Sequence, residues 1–309
     1  MAGGDIMLKQ TLDAYLAVRH AAGFELRVPA ILLRGFVRFA QDQGHSYVTT
    51  QTAIEWAAMA PSKAQRHYRL GALIRFAQYA RADDTRHEVP PKGIFGHHRC
   101  RPVPFIFTPA DIGRLLKAAS RLGPAGSLRP HMYRTLFALL ACTGLRISEA
   151  LALRFDDITP DGLLIRKTKF QKERLVPLHE TAVDGLEHYL IRRRCVGGAD
   201  NHLFISLRGQ GVCYYTVYET FRSLVQVLDL EPKTGRPRPK LHSLRHTFAV
   251  RVLEACPQGR DRINRHMLAL STYLGHARVT DTYWYLEATP QLMVDIADAC
   301  ERFTKGDKP

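Results

Sequence analysis

The sequence predicts a mainly α protein with one small antiparallel β-sheet, divided into two domains. Three observations lead there. Apolar residues recur at helical spacing over the first 81 residues and again over most of the chain after residue 108. Between these stretches, residues 82–107 are interrupted by Asp83-Asp84, Pro90-Pro91, Gly93, Gly96, Pro102 and Pro104, which argues against regular structure. Further on, Asp161-Gly162 introduces two alternating segments that read as strands. A length of 309 residues is also long for one core and suits two of ordinary size.

The first 81 residues read as four helices. Leu8, Leu12, Tyr15, Leu16 and Arg19 keep helical spacing until Gly23, and Ile31, Leu32, Phe36 and Phe39 mark a second helix. Thr49-Thr50 caps a short third one carrying Ile54 and Trp56. The fourth opens with Ser62-Lys63-Ala64-Gln65, a capping box, and aligns Leu70, Leu73, Ile74 and Ala77 on its apolar face. Lys63, Arg66, His67, Arg69 and Arg75 occupy its other face. Such a face is either simply solvated or a contact for a polyanion. Residues 82–107 are the expected linker, with Arg86, Arg99 and Arg101 able to lie against a polyanion.

The second domain starts at Thr108-Pro109, an N-cap followed by proline at the first helical position. Helices are expected at about 109–120, 130–143 and 146–153. Strands follow at Leu163–Thr168 and Glu173–Leu178, with Lys169 to Lys172 at the hairpin tip. Helices return at about 180–194, 216–228, 243–255, 264–274 and 280–287. A last one begins at Thr289-Pro290 and places Leu292, Met293, Ile296, Cys300 and Phe303 on one stripe.

Composition narrows the function. Lys and Arg outnumber Asp and Glu by 44 to 29, giving a formal charge of +15 and a pI near 9.8. An excess of that size is the electrostatic footprint of a nucleic-acid binder. The start, Met1-Ala-Gly-Gly-Asp-Ile-Met7, lacks a cationic stretch followed by an apolar core, so no secretory signal is expected. The longest apolar run, Leu136 to Cys142, is far too short to span a bilayer. The six cysteines lie far apart without a C-x-x-C pair, as reduced thiols of a cytoplasmic protein would. His97, His98 and Cys100 cluster, yet a fourth metal ligand is not evident. No phosphate-binding G-x-x-x-x-G-K-[ST] loop occurs, so no nucleotide cofactor is expected.

Four strings carry the chemistry: T-G-L-R-I-S-E-A-L-A-L (143–153), T-K-F-Q-K-E-R-L-V-P-L (168–178), L-H-S-L-R-H-T-F-A (241–249) and Y-L-G-H-A-R-V-T-D-T-Y-W-Y (273–285). From them come Arg146, Lys169, His242, Arg245, His276 and Tyr285, a set without a carboxylate to hold a metal. Two guanidinium forks can each bind two phosphate oxygens and never deprotonate. His242 and Arg245, three apart, face the same side of one helix turn. His246 points elsewhere and reads as a packed or network histidine. Tyr283 and Tyr285, two apart on a helix, point in different directions, so only one reaches a phosphate.

In this order and spacing the strings resemble the tyrosine recombinase (phage-integrase) family, most strongly over residues 108–290. The L-G-H-A-R-V-T-D-T-Y-W-Y string looks like transposon-borne members. The resemblance implies a two-domain DNA clamp: a helical core-binding domain (1–81), a linker (82–107) and an integrase-type catalytic domain (108–309) with a tail helix at 290–309. It assigns Arg146 and Arg245 as phosphate clamps, His242 as a proton-transfer or hydrogen-bonding partner and His276 as a phosphate hydrogen-bond donor. The family interval of nine residues from its L-G-H histidine selects Tyr285 as nucleophile, leaving Tyr283 to pack, with Trp284 beside it, against the core or another subunit. The general-acid lysine falls on Lys169; the family's flanking glycines are replaced by Thr168 and Phe170, which keeps Lys172 in competition.

Implied too are a 3′-phosphotyrosine intermediate, specific double-stranded DNA sites, and a tetramer of this chain or mixed with other recombinases. The setting is a bacterial-type, nucleoid-associated protein without cofactor, metal or membrane. Lys63, Arg66, Arg69, Arg75, Lys172, Arg236, Arg238 and Lys240 are the expected DNA contacts. The 292–303 stripe docks either into a neighbouring protomer or back onto its own domain. Two rival readings share the motifs: a type IB topoisomerase, and an accessory DNA-binding recombinase without its own cleavage.

Overall fold

The computed structural model describes residues 3–96, 104–166, 173–196, 200–230, 237–255, 260–276 and 278–287. The chain divides into two compact units, Met1–Arg101 and Pro102–Pro309. Unit one holds α1 (Gly3–Ala21), α2 (Arg27–Asp42), α3 (Thr50–Ala58) and α4 (Lys63–Asp83). Thr49 caps α3 by accepting from the Thr52 amide, and Ser62 caps α4 by accepting from Gln65. Leu8, Leu12, Phe36, Trp56, Leu70, Leu73 and Phe76 build the core. Ile31, expected on the inner face of α2, is 68% exposed, and Leu33 and Val37 fill that place. Their spacing with Ala30, Phe36 and Ala40 draws the true inward stripe.

Unit two opens with α5 (Pro109–Ala119), whose Thr108 cap and Asp111 side chain bond each other's backbone amides. Next come α6 (Arg129–Thr143), α7 (Ile147–Ala152) and a 3-10 turn at Phe155–Asp157. Three strands form one antiparallel sheet: β1 (Ile158–Thr159), β2 (Gly162–Ile165) and β3 (Arg174–Val176), in sequence order. Leu163 faces both Ile158 and Val176 in register. The two-residue β1 had no signature in the sequence, being too short to display alternation. Then follow α8 (Glu180–Arg194), α9 (Tyr214–Val227), α10 (Leu241–Glu254), α11 (Arg260–Leu274) and α12 (Thr280–Glu287).

Phe107, Phe137, Leu136, Leu163, Phe204, Phe221 and Leu244 fill the main core of this unit. A smaller cluster, with Ala249, Val250, Leu253, Met267, Leu270, Leu274 and Tyr285, joins α10, α11 and α12. Thr247 of α10 also accepts the Phe107 amide at 2.9 Å, tying the start of the unit to that helix. No helix among the described residues is long and apolar enough to cross a membrane.

Candidate active site

Gly144 ends α6 in a left-handed conformation with φ of 61°. A Cβ there would lie 2.5 Å from Phe248 Cδ1, so both the backbone turn and the approach of α10 demand glycine. The turn delivers Arg146 to the N-cap of α7. Its amide donates to Glu149 Oε2 (2.9 Å), Nη1 to Glu149 Oε1 (2.7 Å) and Nη2 to the Gly275 carbonyl (3.0 Å). Three positions along a helix turn bring opposite charges together.

Arg245, on the second turn of α10, is 2% exposed. Its Nη1 donates to the Gly144 carbonyl and its Nη2 to the Leu274 carbonyl, each at 2.7 Å. Arg174, at the start of β3, donates through Nε to the Tyr273 carbonyl at 2.9 Å. Three guanidiniums thus satisfy three consecutive carbonyls, 273 to 275, at the end of α11. Helix-terminal carbonyls lack intrahelical partners and carry partial negative charge, so cations suit them. Arg174 also grips Glu149 with both Nη atoms, at 3.0 and 2.8 Å.

Burial alone would raise the Glu149 carboxyl, but the hydrogen bonds and charges of Arg174 and Arg146 outweigh it and hold the group at about 2. Burial, then the nearby Arg146 charge, lowers Arg245 to about 10, which leaves it protonated at neutral pH. Three guanidinium charges against one carboxylate leave a surplus of two. A guanidinium has five N–H donors, so anchoring to carbonyls and binding an anion are compatible.

Rings line this cationic floor. His242 and His246 meet edge to face at 4.4 Å, His246 lies 5.5 Å from Tyr285, and Tyr285 stacks with His276 at 6.1 Å. His276 follows Gly275, whose φ of 65° stops α11, and its Nδ1 is 2.8 Å from the Thr282 hydroxyl. His242 keeps an exposed edge; lost hydration, then Arg245 and Arg146, push it down. Burial followed by the same two arginines lowers His276 to about 4. For His246, burial and then His242 bring it to about 3. All three rings are therefore neutral at pH 7. Tyr285 is 3% exposed, and its phenol interacts with the Arg245 guanidinium.

Five of the six expected catalytic residues, Arg146, His242, Arg245, His276 and Tyr285, meet here. Lys169 lies outside the described residues, as do Lys172, Arg236, His97, His98, Cys100 and the 290–309 tail. Tyr283 is 51% exposed, so it is not packed against the core of its own chain, which leaves the other expected surface, another subunit. Among the expected DNA contacts, Lys63, Arg75, Arg238 and Lys240 are exposed. Arg66 and Arg69 are instead half-buried, donating to the carbonyls of Ala60 (2.8 Å) and Trp56 (3.3 Å). Sequence reasoning left out Glu149, Arg174 and Thr282, and it aimed His246 away from a site in which its ring is central. The Arg146–Glu149 spacing was the available signal for Glu149.

The phage integrase family matches residues 106–291 of the chain. A putative integrase/recombinase of Sinorhizobium fredii (strain NBRC 101917 / NGR234), y4rB, is 37% identical over 305 residues, covering 95% of this chain and 97% of the relative. Tyrosine recombinase XerD of Caulobacter vibrioides is 31% identical over 245 residues, covering 77% of this chain and 74% of XerD. In structure, the Tn1549 transposon integrase in complex with transposon right end DNA aligns with a TM-score of 0.65 at 18% identity, covering 94% of this chain and 99% of that one. The XerH site-specific recombinase bound to its difH substrate gives 0.64 at 19% identity, covering 88% and 78%. The chain belongs to the phage integrase family and is a tyrosine site-specific recombinase.

Proposed function

We propose that this protein cuts and rejoins duplex DNA at specific sites through a covalent bond between Tyr285 and a DNA 3′-phosphate. The observation that carries the reading is the meeting of Arg146, Arg245 and Tyr285 from three distant strings around one cationic floor. Arg146 and Arg245 grip the non-bridging oxygens of the scissile phosphate. Their surplus charge, concentrated in a site of low hydration, stabilises the phosphorane more than the singly charged substrate. The Tyr285 oxygen attacks phosphorus, its proton passing to a neutral ring, for which His246 is nearest by ring contact, with the His242 ring edge-on against it. The P–O5′ bond breaks and the leaving oxygen takes a proton, a role we give to Lys169 with Lys172 as its rival. One phosphodiester becomes another ester of similar energy, so religation needs no nucleotide.

Tyr285 is covered and rests on Arg245 in this state, so a phosphate enters only as α12 shifts. The N-terminal unit would serve as the core-binding domain, with Lys63 and Arg75 on its exposed face as phosphate contacts. Two strand exchanges between two duplexes call for four protomers, with the 292–303 stripe linking neighbours. The cellular setting would be the nucleoid, and the process integration, transposition or dimer resolution. The test is a suicide duplex nicked beside the cleavage point. Wild type accumulates a covalent adduct and Tyr285→Phe accumulates none; an adduct that survives Tyr285→Phe but is lost in Tyr283→Phe overturns the assignment.

A further inference from the structure

We infer that Arg174 is a positioning residue: by pinning Glu149 to the end of α11, it fixes where the Arg146 guanidinium points. The inference rests on the proposed role of Arg146 as a phosphate ligand.

The geometry is a closed relay. Each Glu149 oxygen is shared between two arginines: Oε1 accepts from Arg146 Nη1 (2.7 Å) and Arg174 Nη1 (3.0 Å), and Oε2 accepts from the Arg146 amide (2.9 Å) and Arg174 Nη2 (2.8 Å). The fork of Arg174 sets the plane of the carboxylate, because two parallel bonds fix orientation as a single bond does not. That plane in turn sets the direction of Arg146. The third Arg174 bond, to the Tyr273 carbonyl, anchors the relay one residue from the carbonyl held by Arg245. Backbone presses on the same guanidinium, since a Cβ on Gly275 would lie 2.9 Å from Arg174 Nη1.

Charge points the same way. Alone with Arg146, the buried Glu149 carboxylate would chelate and neutralise it. With the largely buried Arg174 paired to the same carboxylate, one positive charge of the pair remains for an anion. Arg174 therefore acts through Arg146, and a lysine, with one point charge, cannot form both the fork and the carbonyl bond.

The test is a double-mutant cycle between Arg174→Gln and Arg146→Lys. Suicide duplexes are built on the sequence that wild type selects from a random duplex pool, and adduct formation is followed in single turnover at saturating protein. Arg174→Gln is expected to slow the saturated rate by about 10²-fold through misplacement of a reacting group, with half-site Kd changed less than about threefold. On the Arg146→Lys background the same substitution should slow the rate less than about threefold, because its target is already lost. Arg166→Gln, which removes the neighbouring Arg166–Asp157 ion pair (2.6 Å), serves as a control and leaves the rate unchanged.

A full loss from Arg174→Gln on both backgrounds, as a merely structural role would give, overturns the inference. So does a loss confined to Kd. Should Arg174→Gln fail to fold by thermal melting, Arg174→Lys runs the same cycle with the same criteria. Absence of any adduct from wild type on its selected duplex would sink the functional reading and this inference with it. An additive cycle alongside a wild-type adduct sinks this inference alone.

Discussion

Arg245 holds the fold together and, in the proposed reading, grips the phosphate with the same side chain. Its guanidinium is 2% exposed and bridges the Gly144 and Leu274 carbonyls, two chain segments that otherwise end in orphaned acceptors. Arg245→Met removes both bonds and should destabilise the protein by about 2–4 kcal/mol in chemical denaturation, since buried carbonyls lose charged donors. Arg245→Lys keeps a charge without the fork and should slow cleavage by about 10²-fold or more. Tyr285→Phe separates the two roles. The ring stays in its apolar cluster and only the phenol's bond to Arg245 is lost, so stability should fall by about 1–3 kcal/mol, while adduct formation disappears.

Two helix ends set the site, and both end in a glycine with positive φ. Gly144 aims α7 and lends its carbonyl to Arg245; Gly275 ends α11 and aims His276. Gly144→Ala places a methyl 2.5 Å from Phe248 in a left-handed backbone. Strain and overpacking together should destabilise the fold by about 2–4 kcal/mol, read from the denaturation midpoint. The glycines, the caps at Thr49, Ser62 and Thr108, and the four motif strings were all legible in the sequence, because each is a local signal. Arg174 was not legible. Its partners lie 25 and 99 residues away, and a β-strand arginine beside Glu173 reads as ordinary surface charge until the sheet brings it under α7. His246 was misaimed for a related reason: the sequence put it beside Arg245 but could not tell that α12 would bring Tyr285 to that flank. Arg66 and Arg69 looked like Lys63 and Arg75 by type, and only the packing of α4 on α3 separated them.

Across the whole molecule the decisive property is charge: +15 overall, with a candidate site whose imidazoles are held neutral. Folded His246 and His276 titrate well below the ordinary value near 6.5 that the unfolded chain retains. Between about pH 4 and 6.5 the unfolded state then binds more protons than the folded one, so stability falls as pH drops through that window and is flat just above it. Urea midpoints recorded from pH 8 to 4.5 check this; midpoints that rise on acidification would contradict it. A bound phosphate supplies the negative charge that these rings lack, so DNA binding near pH 6 should take up protons. Calorimetric enthalpies would then vary with buffer ionisation heat at pH 6 and cease to vary at pH 8.

The central claim, a phenol esterified to DNA on an arginine floor, is tested most directly by mapping the linkage itself. The adduct from a suicide duplex is digested with trypsin and nuclease and sequenced by mass spectrometry. The expected product is a nucleotide 3′-phosphate on Tyr285 within the peptide Val279–Arg302, with a 5′-hydroxyl on the released strand. A nucleotide on Tyr283, on any serine, or joined through a 5′-phosphate would contradict it.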